Sequence, residues 1–142
     1  MATTQNAALP DFNVMWNFGN PAETEQKFLA ILPQAEGAQD TSYLIQLLTQ
    51  IARTHSLRAN FGEAHAILDR AERMLTSDLK LARVRYLLER GRTFNSSGQA
   101  ERALPLFMEA VELAISIDEM SYAADAIHMV AIAKQDPKEQ IE

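Results

Sequence analysis

The sequence predicts an all-α fold, a solenoid of about six to seven helices stacked in pairs. Three observations lead there. Small and bulky residues recur at a fixed spacing: Ala64, Leu68 and Ala71 return 39 residues later as Ala103, Phe107 and Ala110, and Thr24, Phe28 and Ile31 stand 40 residues before them. The composition is helical, with 47% hydrophobic residues, much of them Ala and Leu, which favour helix. The five glycines and five prolines fall mostly at points where capping chemistry places helix ends.

The elements follow in order. Asn20-Pro21-Ala22-Glu23 supplies an N-cap acceptor, a proline that needs no amide donor and an acid in the first turn. A helix over 21–36 follows, closing near Gly37. Asp40-Thr41-Ser42 caps a helix over 42–59, and Asn60-Phe61-Gly62-Glu63 turns the chain into a helix over 61–75. Ser77-Asp78 opens 78–96; Gly98 breaks it, and the next helix runs from Gln99 to Ser116. Pro105 falls late for a proline, so a local irregularity is expected there. Asp118 caps a helix over 119–135, and Asp136-Pro137-Lys138-Glu139 repeats the opening grammar of residues 20–23. The expected organisation is an extension over 1–19, its first ten residues a loose tail, and a repeat domain over 20–142. That domain comprises a half repeat (20–37), repeats at 42–76 and 78–116, and a partial repeat at 119–142.

Residues 91–110 resemble a tetratricopeptide repeat. Gly91 is the small residue of helix A, Phe94 the aromatic three residues on, Gly98 the turn glycine, and Ala103, Phe107 and Ala110 the helix B spacing. Ile51-Ala52, Ala59, Glu63-Ala64, Leu68 and Ala71 follow the same frame, with His55 at the aromatic place. The resemblance covers roughly residues 20–142, with a spacing longer than the family's usual 34 residues. Trp16-Asn17-Phe18 before Asn20-Pro21-Ala22 is similar to the entry of bacterial proteins of this type. The resemblance implies a right-handed α-α superhelix whose A helices line a concave groove that binds a partner peptide or protein segment.

Carried onto this chain, the groove-facing spacing selects Gln46, Thr49, Gln50 and Arg53 from the first A helix. It selects Arg85, Leu88, Glu89, Arg92 and Asn95 from the second, and Asp125, His128, Met129 and Ile132 from the third. Arg53, Arg85 and Arg92 stand out in a chain of net charge −6, because guanidinium forks bind carboxylates through paired hydrogen bonds. Asn95 can donate to and accept from a peptide backbone. An acidic or C-terminal peptide is the expected ligand. The family's carboxylate-clamp subset uses a Lys/Asn set at places held here by Thr49 and Arg53, so that clamp is not implied. The plainer alternative is that these arginines pair with Glu89, Asp125 and other acids of neighbouring helices. Trp16 and Phe18 are read as a hydrophobic staple over the first layer, the alternative being an exposed partner anchor.

Other functions find little support. An acidic chain without a basic run is a poor nucleic-acid binder. The chain has no cysteine, so no thiolate site or disulfide framework is available. There is no GxGxxG, P-loop, HExxH or GxSxG motif. His55 is read as packing at the aromatic place and His65 as a surface residue, with no metal site. No enzymatic activity and no cofactor are expected. Residues 1–20 lack the features of a signal peptide and no stretch suits a bilayer, so a cytoplasmic protein is expected. The helix at 119–135 carries Tyr122, Ala126, Ile127, Val130, Ala131 and Ala133, too apolar for a solenoid cap. Two readings follow: a fragment of a longer repeat protein, or a homodimer through this helix. A small-ligand sensor between Arg53, Arg92 and His128 is the third and least supported function.

Overall fold

The computed structural model describes residues 8–135 and is all-α. After a short 3-10 turn at Phe12–Met15 come six helices: α1 (Pro21–Gly37), α2 (Thr41–Ser56), α3 (Phe61–Met74), α4 (Lys80–Ser96), α5 (Ala100–Ser116) and α6 (Met120–Lys134). The helix announced at Asp136 lies outside the described residues.

Local chemistry accounts for most of the limits. The Asn20 side chain accepts from the Glu23 amide at 3.2 Å, and Asp40 accepts from the Tyr43 amide at 3.0 Å, satisfying donors that a helix start leaves open. Asn60 stands at the N-cap of α3 without a side-chain cap bond. Two expected caps are corrected. Asp78 takes the Thr76 hydroxyl instead, so α4 starts at Lys80 behind Leu79. Asp118 is a turn residue at φ 61°, and Glu119 holds the N-cap of α6.

The three turns that end α2, α4 and α5 close the same way. Ala59, Gly98 and Asp118 adopt left-handed backbone at φ 62°, 83° and 61°. The next amide then reaches back to a helix carbonyl: Asn60 to His55 and Gln99 to Phe94 at 2.8 Å, Glu119 to Ala114 at 2.9 Å. This is the usual left-handed helix closure. It ends α2 at Ser56, three residues before the expected limit. The expected irregularity at Pro105 does not break α5, which runs through it. Pro33 likewise sits inside α1, and both prolines are exposed.

Each helix packs on the next, while α2 also packs on α4 and α4 on α6. The repeated positions form the core: Phe28, Leu68 and Phe107 are fully buried, as are Ala64, Ala71, Ala103 and Ala110. Gly91 lets α5 approach α4: a Cβ there would fall 2.8 and 2.9 Å from Cδ1 and Cζ of Phe107, and nearer still to Cε1.

Residues 8–19 are not detached from the helices. Phe12 is 3% exposed, with its ring edge-on to Phe28 and Tyr43. The Tyr43 hydroxyl donates to the Pro10 carbonyl, which corrects the loose tail at that end; residues 1–7 lie outside the described part. Thr24, fully buried where the spacing later places Ala64 and Ala103, accepts from the Asn17 amide at 3.0 Å.

Candidate functional site

Most of the selected groove residues gather on one polar face spanning α2, α4 and α6. Residues 39 positions apart touch there. Arg85 donates to the Gln46 carbonyl oxygen at 3.3 Å, and Gln50 donates to Glu89 at 3.4 Å, each pair 39 residues apart. A fixed sequence period thus becomes a lateral ladder between neighbouring helices.

Glu89, 3% exposed, is the centre. It accepts from Arg92 Nε and Nη2, both at 3.2 Å, and lies 3.8 Å from Arg53 Nε. Arg92 turns its other edge to Asp125, with Nη1 to Oδ1 at 3.0 Å and Nη2 to Oδ2 at 2.8 Å. Burial alone would lower the Arg92 pKa, but Glu89 and Asp125 more than reverse it and hold it above the usual range. Burial would raise the Asp125 carboxyl; hydrogen bonds and charge from Arg92 outweigh that and hold it below its ordinary value. Arg92 and Asp125 are therefore engaged with each other, as the plainer alternative expected of that arginine.

Arg85 and Arg53 differ. Arg85 is 6% exposed and, among the described residues, donates only to neutral acceptors, the Gln46 side-chain oxygen and the Asn13 side-chain carbonyl, the latter at 2.9 Å. Its guanidinium also lies over the rings of Phe12 and Tyr122. Burial pulls its pKa down. Arg53 makes no hydrogen bond among the described residues, and its Nε is the one buried side-chain nitrogen or oxygen there without such a partner. Its pKa is lowered, first by burial and against the pull of Glu89. Arg53 and Arg92 thus share Glu89, while Asp125 pairs with Arg92, and the Arg53 contact is the longer one.

An aromatic pair walls Arg53. Trp16 and Phe18 stack with ring centres 4.5 Å apart and planes 7° apart. The Arg53 guanidinium lies 4.9 Å from the Phe18 centre and 5.7 Å from that of Trp16, within cation–π range. Trp16 stands edge-on to Phe28 and donates to Gln50 at 2.9 Å. It covers the first layer as a staple does, whereas Phe18 stays 55% exposed. Neither ring was placed beside Arg53 by the repeat spacing, because both precede the first repeat.

The remaining selected residues divide. Thr49 is fully buried, its hydroxyl donating to the Gln46 backbone carbonyl at 2.6 Å. Leu88 is 1% and Met129 9% exposed. All three are corrected from groove positions to core, since their helix faces turn to neighbouring helices. Asn95 is half-buried, while His128 and Ile132 are exposed.

A second polar cluster lies elsewhere. Arg90, 7% exposed, donates to Asp69 at 2.6 Å and to the Tyr86 hydroxyl at 3.2 Å. Its Nη1 lies 2.7 Å from His65 Nδ1. His65 is half-buried against Phe94, not a surface residue, and its pKa is lowered by burial and then by Arg90. His55 meets Glu25 at 2.9 Å. Among the described residues no group of three His, Cys, Asp or Glu could hold a metal ion, and no helix is long and apolar enough to cross a membrane. Comparison of the chain with known protein families, curated proteins and solved structures finds no match.

Proposed function

We propose that this chain is a protein-binding module, a right-handed α-α superhelix of tetratricopeptide type, that receives an acidic segment of a partner on the face of α2, α4 and α6. The observation that carries the reading is Arg53, a partly exposed guanidinium that shares Glu89 at 3.8 Å, makes no hydrogen bond among the described residues and lies beside an exposed aromatic ring. A partner carboxylate would complete the guanidinium fork, the stronger kind of hydrogen bond, while Phe18 would cover an adjoining apolar side chain. Arg92 and Asp125 act as the fixed frame, because each already occupies the other. Residues 12–18 supply one wall, so the receiving surface is narrower than the whole groove.

Trp16 is the chain's only tryptophan and reports directly on this wall. A synthetic peptide of alternating Glu and Leu should shift its emission, and the Gln-for-Glu counterpart should not. Arg53→Ala should weaken the Glu peptide by about tenfold or more with helicity unchanged. No response to the Glu peptide, or equal binding by the variant, would reject the reading.

A further inference from the structure

On α6 four exposed apolar residues form one stripe, and Ile132, also exposed, lies off it. Met120 and Ile127 are each 54% exposed, and Ala124 and Ala131 are exposed between and beyond them. Spacings of four, three and four residues place all four on one face of a helix. The opposite face, with Ala123, Ala126, Met129 and Ala133, is buried within the chain. Beside the stripe a shallow groove of about 260 Å³ is lined by Met108, Val111 and Glu112 of α5 and by Ile127 and Val130 of α6. Contiguous apolar surface of this kind marks an interaction site.

We infer that this stripe pairs antiparallel with the same stripe of a second copy of the chain, across a twofold axis. The order large, small, large, small is self-complementary. Met120 and Ala131 share a midpoint between residues 125 and 126, and Ala124 and Ile127 share the same midpoint. A twofold axis there sets each large side chain against an alanine of the other copy, as an isologous interface requires. The alanines permit close approach while Met120 and Ile127 fill the space opposite, the knobs-into-holes condition for helix packing. Charge agrees with this direction. Lys134, which makes no ion pair among the described residues, ends α6, and the same axis brings it toward Asp118 and Glu119 at the start of the other copy's α6. The surface is separate from Arg53, so dimerisation and peptide capture are independent claims.

The test is solution mass together with a directed cross-link. Across a wide concentration range the full chain should approach twice 15.9 kDa. Ala124→Glu should return it to monomer. Ala124→Ile should weaken association about tenfold or more by opposing Ile127, and adding Ile127→Ala should restore it. The chain has no cysteine, so Ala124→Cys protein mixed with Ile127→Cys protein should form a disulfide-linked pair, and Ala124→Cys mixed with Ala131→Cys should not. The cross-link keeps the test decisive even where Ala124→Glu disturbs folding. A monomer at every concentration would overturn the inference and leave the stripe to residues 136–142 or to an unlike partner. A dimer indifferent to Ala124→Glu, or cross-linking at another register, would overturn it as well.

Discussion

Gly91 of α4 and Phe107 of α5 fit together with no room for a side chain on the glycine. The positions 39 residues earlier hold Ala52 and Leu68: where one residue grows by a methyl group, its counterpart shrinks from a ring to a branched chain. Gly91→Ala should therefore destabilise the protein by roughly 1–3 kcal/mol through overpacking, despite a helix-propensity gain of up to about 1 kcal/mol. Gly91→Ala with Phe107→Leu should recover much of the loss. Thermal unfolding of the three proteins checks this, and equal stability of Gly91→Ala and the parent would contradict it.

Ala59 has a left-handed backbone at φ 62°, and 39 residues later Gly98 has one at φ 83°. A side chain in that region costs about 1–2 kcal/mol, partly offset by the freedom that glycine adds to the unfolded chain. Ala59→Gly should stabilise by about 0.5–1 kcal/mol, raising Tm by roughly 2–4 °C. Gly98→Ala should shift Tm in the opposite direction. Calorimetry of both variants is sufficient, and a lowered Tm for Ala59→Gly would refute the account of this turn.

Glu89 is almost fully buried and answers two arginines. Its removal leaves charges that burial makes costly, so Glu89→Ala should destabilise on the order of 3 kcal/mol. Glu89→Gln should do less harm, because an amide oxygen can still accept from Arg92. Urea titration of both variants orders them, and the reverse order would show that shape rather than charge governs the site.

Asp125 makes stability depend on acid. Burial opposes ionisation, but the Arg92 hydrogen bonds win and its folded pKa lies below the ordinary value. The stabilisation is present above the unfolded carboxylate pKa of about 3.9 and is lost as pH falls through the folded value. Asp125 is 35% exposed, and solvent screening keeps the effect near 1 kcal/mol or less. Asp125→Asn should be less stable than the parent at pH 7, and the gap should narrow toward pH 3. A gap that stays constant with pH would assign the effect to packing instead.

What the sequence determined by itself was the helical class, the number of described helices and most of their ends. Those depend on neighbours within a few residues: Asn20 and Asp40 cap their own helices, Gly98 permits its own turn, and the 39-residue period already names Leu68 and Phe107 as core. Exceptions were local too. Asp78 and Asp118 had other uses for their positions than capping, and Ala59 adopts a backbone for which alanine carries no sequence signal.

Tertiary structure decided the site. Asn13 reaches Arg85 across 72 residues and Trp16 reaches Gln50 across 34, and no spacing rule spans an irregular segment that folds back on helices. Thr49 and Leu88 went to the core while Arg53 kept an open edge, because the rotation of α2 and α4 is set by neighbours on both sides. Arg92 found Asp125 as a second acid, whereas Arg53 has only its share of Glu89 among the described residues. That difference lies in which side chains meet across α2, α4 and α6, a matter of packing that the order of residues along one helix does not contain.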